Sequence, residues 1–315
     1  MPVPLELKTF TNQTTQTMGK IISLIEVQGR VGNIVGIKGK GGRTYVRRYQ
    51  YLVTDAKSAK QMKRRVRWAN TVNIWKVLKG EAKPCFEHLP ETMSDYNMFV
   101  QCNAEIAKVS LKKNEVAVGA TVVAPLIVSI GSLPNIVVTS MSGGKMRTDI
   151  ALGDLTIDDD TTVSTFSKAV LNNNGDYQEG DRIVGFLLAQ ELWGDEQIPH
   201  ARLVSSAIDL EKSNNTKLWE VVDERVFSSA DGFVASKTTV NGGICWIHSR
   251  IDGTNNKTLV STQRIIVNST LLETYMSVAA NREAIQSYGG VKNHGIVRPG
   301  SGREFDESEI TQVNP

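Results

Sequence analysis

Lys57, Lys60, Arg64 and Arg67 recur at three- and four-residue intervals, the spacing that aligns side chains along one stripe of an α-helix. Arg43, Arg47 and Arg48 lie just upstream, around a β-like run. Cationic groups at this density suit anions, whether phosphate oxygens of a nucleic acid or carboxylates of a protein surface. These seven residues form the candidate contact site for assembly or for an anionic partner. The stretch around them, 19–80, holds fifteen Lys and Arg against only Glu26 and Asp55, a formal +13. The whole 315-residue chain carries +3, so the remainder sums to −10. Such a division of charge points to binding or assembly. No catalytic residues, no metal ligands and no cofactor are expected.

Other residue groups with chemical potential fit known sites poorly. The cluster GIKGKGGRT places Gly36 and Gly41 at phosphate-loop separation, but Gly42 stands where the lysine should be and a β-like run follows. The four histidines, His88, His200, His248 and His294, show no paired metal-binding spacing. Cys245 and His248 are three apart in an expected strand, so they should point to opposite faces. The acidic runs at 158–160 and 172–181 lack the ligand offsets of a calcium loop. Cys85, Cys102 and Cys245 have neither disulfide nor metal spacing and fit reduced thiols in a cytoplasmic setting.

The elements that would carry these residues are legible from periodicity. Residues 21–37 are β-branched and punctuated by Gly29, Gly32 and Gly36, which reads as a hairpin or two short strands. A turn at 38–42 and a strand at 44–53 follow. The pattern at 57–79 predicts a helix, with Asp55 or Ser58 as N-cap and Gly80 after its end. Met62, Val66, Ala69, Val72 and Trp75 form its expected packing face, completed by Leu78, and Trp68 is expected to pack inward with Trp75. A second helix is expected from Ser94 to about Ala107, paired with the first. Residues 111–157 read as β-rich, 161–171 as a short helix, and 182–191, 202–210 and 217–222 as strands. Further strands are expected at 243–251 and 258–267. One helix capped by Ser269 should run to Gly289–Gly290.

Together these predict an α+β protein. Residues 1–17 form an N-terminal arm and 18–110 a basic β-hairpin plus helical module. An Ig-like antiparallel β-sandwich spans 111–225, and a second small α+β domain spans 226–315, ending in a Gly/Pro-rich acidic tail. The longest apolar run, 116–130, is interrupted and too short for a membrane span, so no membrane contact is expected. The N-terminus lacks a basic region followed by an apolar one, so no secretory signal is expected.

The opening MGKIISLIEVQGRVGNIVG, the basic SAKQMKRRVRWANTVNIW and the later SDYNMFV resemble a family of Bacteroidota and their phages that carries a G-x-V-G-x-V-G opening and a basic helix. The resemblance is strongest over 18–103. This chain departs in having 17 residues before Met18. The setting is also similar to virion structural proteins of crAss-like phages. The resemblance implies an oligomeric component of a phage head or of the head–tail or tail-ring assembly. Its partners would be copies of itself and other virion proteins, and it would be assembled into the virion in the host cytoplasm. The alternative is a nucleic-acid-binding protein that meets DNA through the helix at 57–79.

Overall fold

The computed structural model describes residues 19–21, 28–39, 44–51, 59–237 and 240–288. The expected arm at 1–17, the tail beyond 288, and the candidate residues Arg43 and Lys57 lie outside them, as do Asp55 and Ser58. In chain order the strands are β1 (Gly19–Ile21), β2 (Gly29–Val31), β3 (Ile34–Lys38), β4 (Thr44–Arg48), β5 (Cys85–Phe86), β6 (Ile127–Ile130), β7 (Val138–Ser140) and β8 (Met146–Ala151). They continue with β9 (Arg182–Trp193), β10 (Ile198–Asp209), β11 (Ser228–Ala230), β12 (Phe233–Ala235), β13 (Gly242–Ile251), β14 (Thr258–Val260), β15 (Gln263–Arg264) and β16 (Ile266–Asn268). The helices are α1 (Ala59–Leu78), α2 (Asp95–Asn103), α3 (Lys113–Ala117), α4 (Val163–Asn173), α5 (Leu218–Val221), α6 (Leu271–Met276) and α7 (Val278–Ser287). The protein is mixed α+β with several largely antiparallel sheets.

The chain divides into two units, one of Met1–Ala56 with Pro90–Met93, the other of Lys57–Leu89 with Ser94–Pro315. The smaller unit contains an antiparallel sheet in the order β1-β4-β3-β2. Gly32, at φ +58°, opens the two-residue loop that joins β2 to β3.

The larger unit is organised by the sheet β10-β9-β13-β14, with β16 also paired to β13. β9 and β13 lie on either side of the boundary expected at 225/226, and they pair from Gly242↔Ala189 to Ser249↔Arg182. Alternation along these strands sends side chains to two separate cores. Phe186, Leu188, Cys245 and Ile247 pack with Ile74 and Leu78 of α1, Phe99 of α2 and the apolar segment 120–128. Ile183, Leu187, Ile244 and Trp246 pack on the other face with Phe166 and Val170 of α4, Met146 and Ile150 of β8, and Val234 of β12. Gly185 permits this second layer to close. A Cβ there would stand 2.5 Å from Val226 and 2.9 Å from Trp246.

Segment 120–126 is buried except at half-buried Pro125, yet it joins no ladder. Its backbone is held by side-chain amides instead. Asn70 of α1 donates through Nδ2 to Val122 O at 2.8 Å and accepts from Val122 N at 2.9 Å. Asn73 donates to Ala120 O, and Gln190 of β9 accepts from Val123 N and donates to Thr121 O. Asn103 of α2 does the same for Ile127. Buried backbone groups need partners, and these amides reproduce a strand edge.

Several expected elements differ. Residues 217–222 do not form a strand but carry the short helix α5. The expected single helix after Ser269 breaks at Ser277, whose extended backbone and hydroxyl cap α7 by accepting from Ala280 N at 3.1 Å. The helix expected at 161–171 runs from Val163 to Asn173 and is capped by Thr162. On α1, Met62, Val66 and Leu78 are fully buried as expected, but the stripe between them runs through Asn70, Asn73 and Ile74. Ala69, Val72 and Trp75 lie at its margin. Polar Asn70 and Asn73 masked this drift, because the apolar pattern skips them.

Candidate contact surfaces

α1 carries Lys60, Lys63, Arg64, Arg65, Arg67 and Lys76 and no acid. Lys60 and Arg64 are exposed, one turn apart, in the first half of the helix. Arg67, expected on the same stripe, instead turns toward α2 and pairs through Nη1 with Glu105 Oε2 at 3.2 Å. Its Nε is buried, with no hydrogen-bond partner among the described residues. Burial, then the charges of Arg67 and Lys108, lower the Lys63 pKa below its ordinary value. Positive charge is therefore crowded around the first half of this helix, where the macrodipole already disfavours cations.

Trp68 sits one turn beyond Arg64 and is 53 % exposed. This corrects the expectation that both tryptophans pack inward. Trp75 does pack, with its ring centroid 5.5 Å from both Tyr96 and Phe99. It thereby joins α1 to α2.

Arg47 and Arg48 belong to the smaller unit. They are neighbours in β4, so they face opposite sides of the sheet. Arg48 stands across from Ile34, which in turn stands across from Val31. Arg47 stands across from Val35, which stands across from Arg30. The Arg30 guanidinium lies 3.9 Å from the Tyr49 ring centroid, in cation–π geometry, and donates through Nε to Gly32 O. This arginine was not singled out in the sequence; the aromatic pair Tyr49 and Tyr51 downstream was the available signal.

The sheet's apolar side chains are poorly covered. Val31 is 64 % exposed, Ile34 49 % and Ile37 45 %. Among the residues of this unit whose burial is described, 28–39, 44–51 and 90–93, no apolar side chain is buried.

The densest cluster of titratable groups lies elsewhere, at the start of β9. Asp181 and His248 are each 1 % exposed. His248 Nε2 donates to Asp181 Oδ2 at 2.8 Å, and Arg250 grips the carboxylate through Nε at 2.7 Å and Nη2 at 2.6 Å. Gln178 N adds a third donor to Oδ2. Burial alone would raise the Asp181 pKa, but these hydrogen bonds outweigh it and hold the carboxyl down at about 2. The Tyr177 ring stacks on His248 at 4.4 Å and covers it. The cluster is a sealed clasp between β9 and β13, and its charge balance was invisible in a sequence that separates the partners by 67 residues.

Among the described residues, no group of three His, Cys, Asp or Glu is placed to hold a metal ion. No described helix is long and apolar enough to cross a membrane. Cys85, Cys102 and Cys245 are free thiols. Burial raises the Cys85 pKa to about 11 and pushes the other two upward as well. A shallow cleft of about 200 Å³ lies between the loop at 153–156 and the turn at 229–232. Asp231, one of its two acids, is already paired with Arg147 at 3.2 Å.

Comparison with protein-family models, with curated proteins and with solved structures finds no match.

Proposed function

We propose that this protein is an oligomeric structural component of a phage particle, in the head or in the head–tail or tail-ring assembly, and that the sheet β1–β4 is a contact between copies. The observation that supports it is a four-stranded sheet that leaves Val31 and Ile34, cross-strand neighbours on one face, about half exposed or more. A small sheet needs an apolar face covered before it is stable, and contact with a second copy supplies the cover. Closed symmetric assembly would bring identical sheets together and remove their edges from solvent. The resemblance of 18–103 to phage-associated sequences supplies the particle; the sheet supplies the interface. The finer architecture belongs to the same reading: a basic N-terminal module, followed by sandwich-like packing of the β9–β13 sheet on the β8–β12 sheet.

Light scattering on the purified full chain should give one defined oligomer. Ile34→Glu should shift it to the monomer while leaving the far-ultraviolet spectrum unchanged. A monodisperse wild-type monomer that is also missing from purified particles would overturn the proposal.

The second reading, a DNA contact, is favoured by one observation: exposed Trp68 beside Lys60 and Arg64. It requires binding that weakens steeply with salt, with a shallower slope in Arg64→Ala.

A further inference from the structure

The first half of α1 exposes Lys60, Arg64 and Trp68, and Lys60 and Arg64 have no ion-pair partner among the described residues. α7 lies against this same half of the helix. Ala284 and Ile285 pack on Met62 and Val66, and Tyr288 joins them at the point where the described chain ends. Two further bonds fix that position, Lys112 Nζ to Glu283 at 2.8 Å and Lys113 N to Ser287 Oγ at 2.9 Å.

The chain beyond Tyr288 therefore starts beside the basic helix. Its residues 301–310 read SGREFDESEI, with Glu304, Asp306, Glu307 and Glu309 against one Arg303, a formal −3. Phe305 stands among the acids.

We propose that the acidic segment 301–310 docks on the basic face of α1 in its own chain, with its carboxylates on Lys60 and Arg64 and Phe305 against Trp68. Reach permits it. Fifteen residues separate Tyr288 from Glu304, about 50 Å when extended. α1, at twenty residues, is about 30 Å long. The chemistry matches: the helix offers two cations followed one turn later by an exposed aromatic ring, and the segment offers anions on either side of Phe305. Acidic residues beside the first turns would also relieve the macrodipole, which α1 leaves unanswered by any acid of its own. This inference stands apart from the particle reading, since it holds for a monomer as well as for an oligomer.

Carbodiimide cross-linking of the full chain tests it, with an equal mixture of ¹⁴N- and ¹⁵N-labelled protein at low salt. The expected products are isopeptide bonds from Lys60 to Glu304, Asp306, Glu307 or Glu309 within one isotopic chain. Their yield should fall about fivefold or more in 0.5 M NaCl, as contacts between exposed charges do when screened. Hydroxyl-radical footprinting supplies a second readout. Trp68 should oxidise about threefold faster when Glu304→Gln, Asp306→Asn, Glu307→Gln and Glu309→Gln are combined, because the aromatic contact of an exposed ring depends on the segment being held. Mixed-isotope products alone would assign the face to a second copy and overturn the intramolecular docking. So would unchanged Trp68 oxidation, or the absence of these cross-links together with salt-sensitive capture of a 20-nucleotide single-stranded DNA.

Discussion

The sheet β1–β4 and the sheet around β9 and β13 use similar local chemistry and reach opposite ends of the burial scale. Both are antiparallel, rich in β-branched residues and interrupted by glycine. β13 buries seven consecutive residues, Gly242 to His248, on two faces. β3, of the same local character, buries only Gly36. The glycines mark the contrast. At Gly185 an added Cβ would collide with Val226 and Trp246, whereas at Gly29 and Gly32 it would meet nothing within 4 Å. Strand propensity makes a strand, but the layers above and below it determine whether the strand is a core or a surface.

The clasp around Asp181 offers the strongest test of the buried side of this contrast. Asp181→Asn removes the carboxylate but leaves Arg250 and His248 in place, and a buried ion group that loses one partner costs about 3–5 kcal/mol. Urea unfolding should report that loss. The wild type should also show an acid limb. Asp181 has its folded pKa depressed to about 2, against an ordinary value near ~3.9. Its contribution is therefore complete above about pH 4 and is lost as pH falls through about 2, a change on the order of 2 kcal/mol. The variant should lack this component, and an unchanged limb would show that Asp181 does not carry it.

A matched pair of truncations sharpens the contrast between the sheets. Ile244→Ala opens a cavity between β13 and α4 and should destabilise the larger unit by about 2–5 kcal/mol. Ile34→Ala, on a half-exposed side chain, should change stability by less than about 0.5 kcal/mol in dilute protein. If Ile34→Ala proves as costly as Ile244→Ala when the protein is dilute and monomeric, the N-terminal sheet is not the open surface described here.

These differences explain what could be read in the sequence. The α+β class, α1, α2 and the long strands β9, β10 and β13 follow from apolar periodicity, because apolar residues recur along each element at its own period. Cys245 and His248 were expected on opposite faces of one strand, and they occupy them. Harder cases arose where polar residues do structural work. Lys217 to Val222 has strand-like composition, yet Lys217 O accepts from Glu220 N and Leu218 O from Val222 N, bonds that wind it into a turn of helix. The break at Ser277 depends on a single hydroxyl. Of the seven candidate contact residues, Lys60 and Arg64 are exposed together on α1, Arg67 is drawn aside by Glu105, and Arg47 and Arg48 face opposite ways in the other unit. Arg43 and Lys57 lie outside the described residues. Spacing could align cations on a helix, but it could not reveal an acid just after α2, Glu105, that would claim one of them.

The amides around segment 120–128 extend the same point to the edge of the core, and they give the smallest of the three losses expected in the larger unit. In the N-terminal sheet every ladder bond is backbone to backbone. Val122 has no strand beside it, and Asn70 supplies both a donor and an acceptor in its place. Asn70→Ala would leave one N–H and one C=O buried without partners, each costing about 1–3 kcal/mol. Water entering the space left by the side chain should recover part of that, so the net loss expected in urea unfolding is about 2 kcal/mol. Asn70→Asp separates the two bonds. An aspartate still accepts from Val122 N but cannot donate to Val122 O, and it places a carboxylate where Asn70 is 2 % exposed. It should therefore be at least as destabilising as alanine at neutral pH. It should recover below the carboxyl's raised pKa, where the protonated oxygen donates again. Equal stability of the two variants at every pH would mean that Asn70 fills space beside Val122 and does not complete its hydrogen bonding.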